Sequence, residues 1–200
     1  MTNVATRLID QHVQASRGEK RAFEFSGKPY SYHDVAALAN RAGNMLKSLG
    51  VPAGARVLMV LPESPAYVAT LIGAMKIGAV PVVAGAASAH LKACSPVIAV
   101  IHAKFFPDVN IALPADKVVV VGDAPAGHPS FVELMRSQSS SLAAEPVSAE
   151  SPALVVANGK LLTLSHRQLE AALASGNPDP LGRAAALLRA FANAEIALLS

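Results

Sequence analysis

The strongest constraint in this sequence is a recurring short aliphatic run, too brief for a core helix and separated from the next by helix-forming segments. Arg56–Leu61, Val80–Val83, Val97–Ile101 and Val118–Val121 are such runs. Runs without polar alternation belong to strands buried on both faces, and strands alternating with helices form a mostly parallel sheet, because a parallel neighbour needs a crossover connection. The helical segments carry their own punctuation. Ser31 with Asp34 reads as a capping box, followed by an apolar face of Val35, Leu38, Ala42, Met45, Leu46 and Leu49. Gly50 and Pro52 stop that helix. Ser64-Pro65 starts a second, with Val68, Leu71, Ile72 and Met75 on one face. The predicted fold is a three-layer α/β domain with a mostly parallel sheet flanked by helices.

The rest of the chain fills in around this frame. Ala5, Leu8, Ile9, His12 and Val13 have helical spacing, and Arg21–Phe25 reads as a strand ending in a turn at Ser26-Gly27-Lys28. Ser88–Ala93 and Ser130–Arg136 read as short helices. Ser137–Ser151 is Ser-rich with Pro146, a composition of connections. Beyond it, Ala153–Ala157 and Lys160–Leu164 flank Asn158-Gly159, which predicts a hairpin with a two-residue type I′ turn. Ser165 caps a following helix, Pro178 and Pro180 break it, and Leu181–Leu199 reads as a last helix with Leu187, Leu188, Phe191 and Ile196 apolar. The predicted organisation is an α/β unit over 1–136, a connection over 137–151, and a hairpin with terminal helices over 152–200, packed on the same domain.

Composition narrows the function classes. The 200 residues are 52% apolar but contain no Trp, so the core is aliphatic. A net charge of +3, with no Lys/Arg run longer than Lys20–Arg21, offers no basic stripe, and nucleic-acid binding is not expected. The single cysteine, Cys94, excludes an intramolecular disulfide framework, and Met1–Asp10 has no apolar signal core. A cytoplasmic protein is expected. Pro65–Ala89 has one charge, Lys76, yet Gly78 and Pro81 interrupt it, so a helix and then a strand are expected there and not a membrane span.

Several strings, in order, resemble the start of adenylate-forming acyl-CoA synthetases, the benzoate-CoA ligase type in particular. They are Lys28–Val35, Ala39–Val51, Gly54–Ser64 and Gly73–Val82, the last similar to that family's helix-to-strand signature. Residues 84–136 follow the family's strand order more loosely, and Ala84–Pro96 is short where the family has a fuller helix. In that family a Ser/Thr/Gly-rich loop ending in Gly-Lys holds the ATP phosphates through amides, hydroxyls and lysine. Here the flanks resemble the family, Ser151–Val156 before and Leu161–Leu169 after, but the loop is reduced to Asn158-Gly159-Lys160. The resemblance also implies that the parts binding adenine, ribose and acyl group, and a C-terminal domain with its lysine, would lie beyond Ser200.

No residue is therefore assigned as catalytic, cofactor-binding or metal-ligating, and neither ATP nor CoA binding is expected. Lys160 is read as a solvent-exposed residue after a turn, with a remnant phosphate contact as the competing role. His166-Arg167 is read as an exposed pair in the first turn after Ser165, with anion binding as the competing role. His90 and Cys94 are spaced i, i+4 with His102 further on, too few for a tetrahedral zinc site. Cys94 is expected to be an inert buried thiol, not a nucleophile served by His90. Three functional readings follow: a non-catalytic relative acting through a protein partner or self-association, part of a carboxylate–CoA ligase completed by another chain, or a small-molecule sensor.

Overall fold

The structure is a computed structural model, and it describes residues 3–85, 93–109, 112–158, 160–175, 184–193 and 197–199. Its centre is a six-stranded sheet built from β3 (Arg56–Val60), β4 (Val80–Ala84), β5 (Ile98–His102), β6 (Val118–Val121), β7 (Pro152–Asn158) and β8 (Lys160–Ser165). The strand order is β6-β5-β3-β4-β7-β8. All neighbours are parallel except the edge pair β7–β8. The aliphatic runs thus occupy the positions their composition requires, with Leu58 opposite both Val82 and Ala99.

The two sheet faces are covered differently. One face, with Val57, Met59, Val83, Val100 and Leu154, joins the main core with α1 (Tyr32–Ser48), α2 (Pro65–Lys76), α3 (Phe131–Arg136), α4 (His166–Ser175) and α5 (Ala185–Asn193). The opposite face, with Leu58, Val60, Val82, Ile101 and Val155, packs on Cys94, Phe105, Phe106, Val109 and Leu113. In that outer layer Phe105 and Phe106 belong to the 3₁₀ turn Ala103–Asp108. The predicted helix Ser88–Ala93 lies almost wholly outside the described residues. No described helix is long and apolar enough to cross a membrane.

Local signals position the helices. Ser31 Oγ accepts from Asp34 N at 3.2 Å while the Asp34 carboxylate accepts from Ser31 N at 2.8 Å, completing the capping box that starts α1. Gly50 takes φ +80° beyond the helix end, a conformation that costs a side chain dearly. Ser64 caps α2 with Pro65 in its first turn. The two helices then touch through small residues: a Cβ on Gly73 would lie 2.7 Å from Ala39 O and 2.8 Å from Gly43 N.

Three expectations are corrected. Lys28–Ser31, read as turn and helix start, forms β2, antiparallel to β1 (Arg21–Phe25). Pro29 is tolerated because β2 is an edge strand. The last segment is not one helix: after α5 the chain forms β9 (Ala197–Leu199), parallel to β1. β1 has a free edge of backbone donors and acceptors there, and pairing satisfies them better than another helical turn. The hairpin register differs too. Ala157 faces Leu161 and Asn158 faces Lys160, whereas a two-residue loop would set Ala157 against Lys160. The observed register sets Leu154 against Leu164 and Val156 against Leu162, joining apolar side chains on one face; a one-residue slip would oppose Leu154 to Thr163. Gly159 itself lies outside the described residues. The helix expected at the N-terminus is present, wound partly in π turns over Thr6–Asp10 and Val13–Arg17, with Ala15 and Ser16 off helical geometry.

The Ser-rich segment 137–151 has no regular ladder and is tied across the helices instead. Asn40 Nδ2 donates to Ser140 O at 2.7 Å, and Asn44 Nδ2 donates to Ser139 O and Ser141 O at 2.9 and 3.0 Å. Glu145 N donates to Lys76 O at 2.7 Å. Beneath this strap, Lys76 is almost fully buried, and its Nζ lies 2.8 Å from Asp10 Oδ1 and 2.6 Å from Asn40 Oδ1.

Two outcomes follow from this packing. Gly73→Ala gains helix propensity but forces α1 and α2 apart, so a net loss of about 1–3 kcal/mol is expected in urea unfolding. Lys76→Met leaves Asp10 without its cation. The loss is expected at about 2–3 kcal/mol, below the usual range for a broken buried pair, because the Asp10 side chain keeps 19% exposure. Adding Asp10→Leu to Lys76→Met is expected to restore most of that loss in the same assay.

Candidate functional site

In an open parallel sheet, ligands bind beyond the carboxyl ends of the strands, where successive connections diverge. Here β3 leads through α2 to β4 on one side, while β5 leads to β6 on the other. The divergence falls between the β3 and β5 ends, which lie side by side with Val60 opposite Ile101. Leu61–Ser64 and His102–Lys104 therefore flank one notch. The tip of β7–β8 joins the same edge, since Ala84 faces Ala157 just before Gly85 and Asn158.

The polar groups at this edge are largely engaged by their own loops. Ser64 Oγ accepts from Tyr67 N at 3.2 Å and donates to Pro62 O at 3.1 Å. His102 Nδ1 accepts from Lys104 N at 3.1 Å, and its ring meets Phe105 edge-on at 6.3 Å. Burial, and then the nearby Lys104 ammonium, push the His102 pKa down from 6.5, so the ring is neutral at pH 7. Lys160 is exposed at the start of β8. The hairpin brings it back antiparallel beside Asn158, leaving a single residue between the paired positions.

The other sequence candidates fall elsewhere. His90 lies outside the described residues. Cys94 is buried, and burial raises its thiol pKa against the opposing effect of Arg56, a setting that disfavours the nucleophilic thiolate. Among the described residues no three His, Cys, Asp or Glu side chains gather as a metal site. His166 and Arg167 separate. Arg167 is exposed and pairs with Glu150, but His166 is only 3% exposed and its Nδ1 accepts from Val4 N at 3.3 Å. The expectation of an exposed pair is thus wrong for His166: Ser165 and Gln168 complete the capping box, and the N-terminal segment covers the helix start.

Residues 9–156 match the AMP-binding enzyme family. The chain belongs to that family. Its matched stretch stops just before Asn158, where the hairpin turns. A 3-hydroxybenzoate–CoA ligase of Aromatoleum sp. is 36% identical over 80 residues, 40% of this chain and 15% of that protein. An acetyl-coenzyme A synthetase of Gemmatimonas aurantiaca is 37% identical over 83 residues, 39% of this chain and 13% of that protein. An anthranilate CoA ligase superposes at TM-score 0.84 with 21% identity, over 100% of this chain and 45% of that one. A benzoate CoA ligase from Burkholderia xenovorans superposes at 0.83 with 18% identity, again over 100% and 45%. These likenesses show the fold, and the chain spans less than half the length of those solved proteins.

Within this AMP-binding domain, the sequence reading missed the inner polar cluster of Asp10, Asn40 and Lys76. One signal was available: Lys76 is the lone charge in a long apolar stretch. A cleft of about 500 Å³ opens beside it, walled by Thr6, Gln14, Asn40, Ser140 and Ser141. At the sheet edge, Lys160→Ala is expected to change stability by less than about 0.5 kcal/mol, as for an exposed side chain, in a thermal melt. A larger loss would mean that Lys160 is held by the fold.

Proposed function

We propose that this chain is a non-catalytic member of the AMP-binding family: an acyl-CoA-ligase-type domain that neither binds ATP nor adenylates a carboxylate, and that acts by associating with a protein partner or a second copy. The observation that carries this reading is the hairpin register. With Asn158 paired to Lys160, one residue spans the turn. A phosphate chain needs several convergent backbone donors around it, and one residue supplies too few. The engaged state of the Ser64 hydroxyl and of His102 Nδ1 at the same edge supports the reading, since both atoms are already bonded within their own loops.

A second reading rests on a different observation. The solved ligases that share this fold extend over twice its length, so a complementary chain could supply the remainder. In that reading the domain is the first part of a carboxylate–CoA ligase assembled from two pieces.

One experiment separates them. The purified chain is incubated with ATP, magnesium and acetate, benzoate or 3-hydroxybenzoate, and pyrophosphate release and the ATP-dependent shift in melting temperature are followed. No release and no shift are expected. Turnover by the chain alone overturns the non-catalytic reading. Turnover only after a second protein is added favours the assembled ligase. The mass in solution, read by light scattering, tests association directly, and a strictly monomeric chain argues against self-association.

A further inference from the structure

Two buried histidines hold the N-terminal segment, residues 3–17, against elements from the other end of the chain. His166, the first residue of α4, accepts the Val4 amide on Nδ1 at 3.3 Å. His12, within the segment, lies 2.8 Å from Phe191 O on α5 through Nε2. The exposures of His12 and His166 are 5% and 3%. We propose that this segment is a proton-released clasp: neutral His12 and His166 hold it on α4 and α5, and their protonation lets it open.

The hydrogen bonds fix the ring protons. Nδ1 of His166 must carry a lone pair to accept Val4 N–H, so a second proton there would face another donor across 3.3 Å. Phe191 O only accepts, so Nε2 of His12 carries the proton and Nδ1 is bare. His12 Nδ1 is buried with no hydrogen-bond partner, as are Tyr32 Oη and Arg17 Nε. The His12 and Tyr32 rings lie 4.4 Å apart. A proton on His12 Nδ1 would therefore create a buried donor without an acceptor, beside a cation.

The charged neighbours do not relieve this. Around His12 stand Arg17 from the segment and Tyr32 from α1, and Asp10 is engaged by Lys76. The remaining α1 carboxylate of the first turn, Asp34, is exposed and bonded to Ser31. Around His166, the Arg7–Glu170 and Arg167–Glu150 pairs are exposed and mutually neutralised. Burial lowers both histidine pKa values from 6.5, and Arg17 lowers His12 further, against the raising effect of the Phe191 carbonyl. The open state then binds protons that the closed state refuses. The clasp is at full strength above pH 6.5 and weakens as the pH falls below it.

Hydrogen exchange on the full chain at pH 7.5 and 5.0, corrected for intrinsic rates, tests this. Peptides covering residues 3–17 and 184–193 are expected to lose about tenfold in protection at pH 5.0, while α1 and α2 keep theirs. Unchanged protection of residues 3–17 overturns the proposal, as does equal loss in every element, which is global unfolding. Replacing both rings, His12→Gln with His166→Gln, keeps a neutral donor and acceptor at each place and is expected to abolish the pH dependence. Persistence of the same dependence overturns the proposal. Should that variant not fold, the ring-proton NMR titration of the unaltered chain decides: both histidines titrating below 6.5 supports the clasp, and either one at or above 6.5 overturns it.

Discussion

The ammonium of Lys76 is the point through which this domain is tied together. It sits at the end of α2, bonded to Asp10 from the N-terminal segment and to Asn40 from α1. Its backbone oxygen accepts Glu145 N from the strap, and the Asn3 amide reaches it from the N-terminus at 3.4 Å. Three stretches distant in sequence therefore converge on one residue. Taking a charge out of water costs several kcal/mol even after relaxation, and one carboxylate and one amide oxygen only offset that cost if their geometry holds. The surrounding segments must keep their places for the charge to be tolerated, which makes the cluster a specificity device for this packing as much as a source of stability.

The sheet explains why such ties are needed. Its main face is covered by helices whose contact depends on Gly43 and Gly73, where the backbones approach too closely for a side chain. That face also receives the N-terminal segment and α5, elements from opposite ends of the chain. Neither has a ladder to the central sheet. They are fixed by apolar burial of Val4, Leu8, Ile9, Leu188 and Phe191, by the Lys76 cluster, and by the two histidine bonds. The opposite face rests, among the described residues, on Cys94 and on partly buried side chains that include the phenylalanines of one 3₁₀ turn. Family membership and fold agree on this architecture.

The frame was legible in the sequence because its signals are local. Strand β4 and helix α2 follow from an aliphatic run and a Ser-Pro start, and the Ser31–Asp34 box needs only residues three apart. The order of motifs fixed the family resemblance for the same reason. What tertiary structure alone decided depends on partners far away in the chain. β9 is three residues long and is a strand only because β1 has an open edge beside it. The hairpin register depends on which face of β8 meets Leu154 and Val156, which Asn-Gly does not encode. His166 follows a capping serine and looks exposed from its neighbours; it is buried because a segment 162 residues earlier lies over it. Lys76 gave a hint by being alone among apolar residues, yet only the fold could supply Asp10 and Asn40. Local propensity set the elements, and long-range burial chose which polar groups among them would be free to act.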